Sequence, residues 1–293
     1  LRPFQRAGVA YALAHDARVL IADEMGLGKT IEALAVVQER LRAAPASRAV
    51  IVCPASLKLN WIREAAKWLP EIVTTESSQY LLGQYEHARL RGITMLNGAS
   101  RDVECRLADG RRAFLRSNDL RARIIVLNYD ILDKHIEMLG KFKAQGLLAV
   151  LVLDESHYAK NAKAQRTKLA QSLATGVPAR LLLTGTPVMN RPKELISQLT
   201  ILGRLDSDFG GFHSFVRRYC SVDYVGTDRD PAGLRDLNRM LRATCMVRRR
   251  KAVVLKELPA KVRTPIPVEI TTRAEYERCE HDLVAHLRRK AAS

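Results

Sequence analysis

The sequence predicts an α/β fold, a mostly parallel sheet with helices on both faces, and three observations carry that reading. Short apolar runs at 19–22, 49–53, 123–127, 147–153 and 179–183 alternate with helical patterns, the rhythm of strands joined by crossover helices. The run at 147–153, LLAVLVL, is apolar throughout, as a central parallel strand covered on both faces must be. Residues that carry chemistry follow the runs directly: Lys29 and Thr30 the first, Asp154 and Glu155 the fourth, Thr184 and Thr186 the fifth. Open sheets of this kind bind their ligands at those strand ends.

Taken in order, Arg2-Pro3-Phe4-Gln5 opens a helix, with Pro in the first turn and Val9, Ala10 and Leu13 on one face. Gln5 reads either as a surface residue or as an amide that recognises an adenine edge. The stretch from Val19 passes through Asp23-Glu24-Met25-Gly26-Leu27-Gly28-Lys29-Thr30 into an Ala-rich helical pattern. Strand, Gly-containing turn, Lys-Thr and helix are the layout of a phosphate-binding loop. Gly26 and Gly28 leave room for backbone N–H groups, including that of Leu27, to curl around phosphate oxygens beside a helix N-terminus. Lys29 would reach the β- and γ-phosphates, and the Thr30 hydroxyl would ligate Mg²⁺. Asp23 departs from the pattern, because it occupies the place of the first Gly. The plain alternative, ordinary capping of a helix, is outweighed by the strand before and the helix after.

The second strand (49–53) leads through Pro54-Ala55-Ser56 into a helix ending near Leu69, with Ser56 as its expected N-cap. Trp61 and Trp68 are seven apart, on one helical face, and both are expected in the core. Between 85 and 122 the pattern changes. VECRLADGRRAFL reads as a hairpin around a two-residue Asp109-Gly110 turn. Its arginines, Arg101, Arg106, Arg111, Arg112 and Arg116, are either solvated charge or a nucleic-acid contact. The strand at 123–127 runs into Asn128-Tyr129-Asp130 and a helix to about Phe142.

Two adjacent carboxylates, Asp154 and Glu155, at the end of so apolar a strand are costly unless something satisfies them. A Mg²⁺-nucleotide would: Asp154 holding Mg²⁺ and Glu155 orienting and deprotonating water. A capping Asp-Glu pair is the weaker reading. Thr184-Gly185-Thr186 could sense the γ-phosphate and couple it to movement. Helical patterns follow at 193–202, 212–220 and 232–243, then the basic run Arg248-Arg249-Arg250-Lys251, an extended stretch at 263–270 and a charged closing helix from Ala274 to about Lys290.

Lys and Arg total 48 against 31 Asp and Glu, a net charge of +17 and a pI near 10.0. Such an excess points to a polyanion, nucleic acid before membrane. Five cysteines without a CxxC pair suggest reduced thiols and no zinc site. No run reaches the roughly 18 apolar residues of a membrane span. These features predict a cytoplasmic, nucleoid-associated or nuclear protein that is not secreted, and the start at Leu1 without Met predicts a fragment.

Together these motifs resemble the Swi/Snf-type translocases of helicase superfamily two. LRPFQRAG is similar to their Q motif, DEMGLGKT to motif I, VCPASL with NW to motif Ia, LNYDIL to motif Ib, DESHYAKN to motif II and LLLTGTPVMNRPKEL to motif III. DESH with NRPKEL resembles the annealing-helicase branch most. The resemblance implies a RecA-like lobe at 1–260, with the β-hairpin insertion at about 85–122 and a helical extension at about 204–258, followed at 261–293 by a linker and helix. It implies ATP and Mg²⁺ as cofactors, adenine contact at Gln5, and phosphate contacts from Gly26, Leu27, Gly28 and Lys29. Mg²⁺ would sit at Thr30 and Asp154, with Glu155 as catalytic base and His157, Thr184 and Thr186 in coupling. Double-stranded or branched DNA would meet Pro54, Ala55, Ser56, Asn128, Tyr129 and Arg191 through its phosphate backbone.

Nothing in the sequence resembles the family's second RecA-like lobe, whose arginine fingers complete the ATP site. The chain therefore reads as a first motor lobe with weak ATP binding and little turnover alone. Rival readings are a strand-separating helicase lobe, a DNA-binding module with a vestigial nucleotide pocket, and a P-loop kinase, which has no need of DESH and TGTP together.

Overall fold

The computed structural model describes residues 1–78, 87–185, 192–220, 231–257, 264, 266 and 272–291. Its strands are β1 (Arg18–Ile21), β2 (Arg48–Cys53), β3 (Thr74–Ser78), β4 (His87–Arg91), β5 (Ile93–Met95), β6 (Asp102–Arg106), β7 (Arg112–Arg116), β8 (Ile124–Asn128), β9 (Leu148–Leu153), β10 (Ala179–Leu183) and β11 (Met246–Val247). Between and after them run the helices α1 (Pro3–Ala14), α2 (Lys29–Ala43), α3 (Lys58–Trp68), α4 (Leu132–Ala144), α5 (Gln165–Ala174), α6 (Glu194–Leu202), α7 (Leu205–Phe209), α8 (Gly211–Tyr219), α9 (Pro231–Thr244), α10 (Lys251–Val254) and α11 (Arg273–Ala291).

The main sheet has the spatial order β11-β1-β10-β9-β2-β8-β5, and each neighbouring pair is parallel. Successive strand residues face opposite sides, so each strand feeds two cores. Val50, Val52, Leu151, Leu153 and Leu182 pack on one side with residues of α4, α5, α6 and α8. Ala49, Ile51, Val150, Val152 and Leu181 pack on the other with α2 and α3. The order brings β1, β10 and β9 side by side, although they are far apart in sequence.

The insertion is larger than a hairpin. Strands β6 and β7 pair antiparallel as the sequence predicts, and β7 then pairs with β4, which pairs with β3. Leu90, Cys105, Ala113 and Leu115 of this second sheet join the α2–α3 side of the core, so the insertion is built onto the lobe. Gly92 marks where the chain leaves one sheet for the other: its φ is +77°, and the Ile72 carbonyl comes close enough to exclude any side chain. Just beyond it, β5 extends the main sheet.

Local expectations were corrected in four places. The hairpin loop has three residues, not two: Leu107 N–H bonds the Arg111 carbonyl at 2.9 Å, and Gly110 N–H bonds the Leu107 carbonyl at 3.1 Å. Gly110 at φ +85° supplies the left-handed residue that a three-residue loop requires. Ser56 does not cap α3, because a 3₁₀ turn over Ala55–Leu57 comes first and Leu57 takes the cap position. Trp61 is fully buried, but Trp68 at the helix end is 38% exposed, its indole N–H on Glu64. In α1 the buried face is Gln5, Gly8 and Ala12, while Ala10 is exposed.

Residues 1–256 form one compact unit and 257–293 another, the latter containing α11 with its exposed first turns. No helix among the described residues is long and apolar enough to cross a membrane.

Candidate nucleotide site

The loop after β1 is built for an anion. Gly28, at φ +86°, takes the position before α2 in a left-handed conformation that suits glycine. Among the described residues, the backbone N–H groups of Gly26, Gly28, Lys29 and Thr30 have no protein acceptor. Four such donors at a helix N-terminus form a ready cradle for phosphate oxygens. Leu27, expected among the phosphate contacts, is not free to make one: its side chain is buried, its N–H donates to the Glu24 carbonyl at 3.2 Å and its carbonyl accepts from Gln5, because the turn closes on itself there.

Lys29 Nζ bonds the Asp23 carbonyl at 3.0 Å. Burial pushes its pKa down, while Glu155, Asp154, Asp23 and Glu32 oppose that shift. The lysine therefore faces a cluster of carboxylates gathered from three elements. Gln5 lies across the loop, its Nε2 donating to the Leu27 carbonyl at 3.1 Å and its Oε1 accepting from Arg2 N–H at 2.9 Å. The Nε2 end braces the loop and the Oε1 end caps the start of α1, with one N–H left for a base edge.

Asp154 and Glu155 follow β9. Asp154 is 7% exposed, and burial raises its carboxyl pKa against the Trp61 hydrogen bond. Trp61 Nε1 donates to Asp154 Oδ2 at 2.8 Å, and Glu155 N–H donates to Oδ1 at 2.9 Å. Glu155 itself sits at φ 47°, a left-handed conformation that is uncommon outside glycine and marks functional turns. His157 Nδ1 stands 3.2 Å from Glu155 Oε2. Thr184 at the tip of β10 is buried, and its N–H bonds the Ile21 carbonyl at 3.1 Å. A Cβ on the neighbouring Gly185 would lie 2.7 Å from Met25 Cγ and 3.9 Å from Lys29 Nζ, so this tip abuts the phosphate loop. Thr186 and Arg191 lie outside the described residues.

The donor set suits Mg²⁺-ATP. A hydroxyl (Thr30) and a carboxylate (Asp154) are the hard oxygens Mg²⁺ takes while keeping most of its water. Among the described residues, no group of three or more His, Cys, Asp or Glu is arranged to hold a metal by protein ligands alone. The expected DNA-facing positions divide into two kinds. Ala55 and Ser56 are exposed and Pro54 half-buried after β2. Tyr129 is buried, its hydroxyl donating to the Asp154 carbonyl at 2.8 Å, so that hydroxyl is not offered to a phosphate. Asn128 is also buried, with Nδ2 on Asp130 Oδ2 at 3.2 Å.

Sequence reading missed two contributors. Trp61 was expected in the core, with no link to Asp154. Arg249, from the basic run, reaches Asp23 and Glu32. The misplaced acid at Asp23 was the available signal, since a buried carboxylate in a loop needs a cation from somewhere.

An SNF2-related domain model matches residues 4–284. The mouse DNA annealing helicase and endonuclease ZRANB3 is 33% identical over 284 residues, 94% of this chain and 23% of that protein. The SWI/SNF-related matrix-associated actin-dependent regulator of chromatin subfamily A-like protein 1 of Xenopus tropicalis is 31% identical over 92% of this chain and 24% of its own length. The Sulfolobus solfataricus SWI2/SNF2 ATPase core in complex with dsDNA superposes with a TM-score of 0.60 at 21% identity, covering 88% of this chain and 47% of that one. The chain thus spans about a quarter of the curated relatives it matches, and the solved structure shares its RecA-like fold. On these matches the chain belongs to the SNF2-related family, the Swi/Snf-type motors of helicase superfamily two, and its relatives group it with the annealing helicases.

Proposed function

We propose that this chain is the first ATPase lobe of a DNA translocase or annealing motor, which binds Mg²⁺-ATP at the β1–β10–β9 strand tips and DNA by its phosphate backbone. One observation carries the reading: the unpaired loop amides with Lys29, the Asp154-Glu155 pair and the Thr184-Gly185 tip converge from three adjacent strands.

The N–H groups of Gly26, Gly28, Lys29 and Thr30 would hold phosphate oxygens, and Lys29 Nζ would release the Asp23 carbonyl to reach them. Thr30 and Asp154 would hold Mg²⁺, which when bound neutralises charge on the phosphates. Glu155 would orient and deprotonate the attacking water, with His157 beside its carboxylate and Thr184 and Thr186 relaying the state of the site. Gln5 would read the adenine edge with its remaining N–H. Backbone contacts to double-stranded or branched DNA are assigned to Pro54, Ala55, Ser56 and Arg191, with the buried Asn128 and Tyr129 supporting that edge from behind through Asp130 and Asp154. A second RecA-like lobe would supply the cations that complete hydrolysis, so turnover by these residues alone should be slow. Partners of this kind place the protein with nuclear or nucleoid DNA.

The test is ATP hydrolysis with and without duplex DNA, by this chain and by a longer protein carrying a second lobe, each beside Glu155→Gln. DNA-stimulated turnover appearing in the longer protein and abolished by Glu155→Gln is expected. Equal rates for the parent and Glu155→Gln proteins would remove Glu155 as the base. Full stimulated turnover by the 293-residue chain would remove the need for a second lobe.

A further inference from the structure

The segment 245–251 runs alongside β1 and the first part of the phosphate loop, as far as Glu24 and Gly26. Strand β11 pairs with β1, and the contact continues as Ala22 N–H to the Val247 carbonyl at 2.7 Å and Glu24 N–H to the Arg249 carbonyl at 3.1 Å. Side chains reinforce it. Arg248 Nη1 bonds the Ala22 carbonyl at 3.0 Å, and Lys251 N–H bonds Glu24 Oε2 at 2.7 Å. Arg249 goes further. Its backbone N–H and Nε bond Asp23 Oδ1 at 2.8 and 3.1 Å, and Nη2 meets Asp23 Oδ2. The same Nη2 bonds both Glu32 oxygens, at 2.7 and 2.6 Å, while Nη1 meets the Phe4 carbonyl. The guanidinium also lies 5.3 Å from the Phe4 ring centroid.

Asp23 and Glu32 are each 0% exposed. Two buried carboxylates flank the loop at either end, Asp23 at the strand tip and Glu32 in the first turn of α2, and they share one guanidinium. Arginine suits this place because its planar fork meets several acceptors at fixed angles, which a lysine ammonium does not. The packing leaves no slack: a Cβ on Gly8 of α1 would run into the Glu32 carboxylate and the Arg249 guanidinium. The fork therefore ties together the strand before the loop, the helix after it and the α1 turn that carries Gln5.

We propose that Arg249 is a positioning residue for nucleotide binding, which fixes the phosphate loop by bridging Asp23, Glu32 and the Phe4 carbonyl. It explains why an acid stands where phosphate loops carry their first glycine: Asp23 is the loop's anchor to the 245–251 strap. The basic run Arg248–Lys251 accordingly serves the nucleotide site through its loop, with Arg249 turned inward. This inference rests on the reading of the loop as the ATP site, but the loop's order can be measured without nucleotide.

The experiment compares the 293-residue chain with Arg249→Lys by amide hydrogen exchange in the nucleotide-free state and by titration with a fluorescent ATP analogue and Mg²⁺. In Arg249→Lys, exchange at the Glu24 and Leu27 amides should rise at least tenfold, exchange in β2, β8 and β9 should stay unchanged, and nucleotide affinity should fall about tenfold. Should Arg249→Lys not fold, the charge-neutral combination Asp23→Asn, Glu32→Gln and Arg249→Met is measured in its place, with the same expectation. Parental exchange at Glu24 and Leu27 in the folded variant would overturn the proposal, as would a uniform rise in exchange over the whole sheet, which is the mark of a purely structural pair. Failure of the parent chain to bind nucleotide would overturn the ATP reading instead, while the exchange comparison still decides whether Arg249 fixes the loop.

Discussion

Replacing Trp61 by Phe isolates a hydrogen bond that connects α3 to the tip of β9. The indole N–H donates to Asp154 Oδ2 at 2.8 Å, and both groups are buried. A hydrogen bond to a charged acceptor contributes about 1.5–3 kcal/mol, and its loss leaves the carboxylate oxygen without that donor. The smaller ring vacates on the order of 40 Å³, which adds about 1 kcal/mol at roughly 24 cal/mol per Å³. The expected cost is therefore about 2.5–4 kcal/mol, a large part of the total stability of an ordinary domain. The pH dependence has a definite sign. Burial already raises the Asp154 carboxyl pKa above its ordinary value, and the Trp61 bond opposes that rise. Removing the bond raises the folded-state pKa further, so the variant loses more stability as pH climbs above the carboxylate range. Urea unfolding followed by circular dichroism at pH 7 and at pH 4 should give the larger difference at pH 7. A double-mutant cycle with Asp154→Ala should show coupling of at least about 1 kcal/mol. Additivity within about 0.5 kcal/mol, with equal costs at both pH values, would refute the linkage. Trp68→Phe on the same helix is the control, expected within about 0.5 kcal/mol because that ring is exposed.

Glu32 carries a second pH signature. Burial, against the pull of Arg249, raises its pKa from 4.5 to about 7. The folded state thus holds a proton that the unfolded chain releases near pH 4.5, so stability falls as pH rises between those values, by on the order of 3 kcal/mol. Thermal unfolding at pH 5 and 7.5 should show the drop in the parent and a much smaller one in Glu32→Gln. Gly92→Ala should cost more than about 2 kcal/mol by chemical denaturation, because it adds left-handed strain to contact with the Ile72 carbonyl; a neutral result would contradict the close approach. Arg112 on the hairpin is bound to Glu104 at 2.7 Å and Arg116 lies 3.7 Å from Asp102. Arg112→Ala and Arg116→Ala should therefore change the salt dependence of duplex binding by less than one unit of slope, measured by fluorescence anisotropy over a salt series. A full unit lost at either position would place the hairpin on the DNA.

The sequence by itself determined whatever depends on short range. Apolar runs of strand length and their alternation with helical periods placed Lys29 and Thr30 at the start of the helix after β1, and Asp154, Glu155 and Thr184 at strand tips, because strand and helix periodicities are local. Even the hairpin was legible from VECRLADGRRAFL, although its loop gained a residue once Gly110 took the left-handed position. Tertiary structure decided the rest. Two- and three-residue strands such as β11 and β5 carry too little pattern to be read locally, and they form because an existing sheet edge offers them unpaired N–H and C=O groups. Trp61 with Asp154, Tyr129 with the Asp154 carbonyl, and Arg249 with Asp23 and Glu32 join positions 93, 25, 226 and 217 residues apart. A buried polar group must find a partner, but the sequence does not say which. Only the side-by-side packing of β1, β10 and β9 with the elements around them brings this indole, this hydroxyl and this guanidinium within reach of these carboxylates and carbonyls.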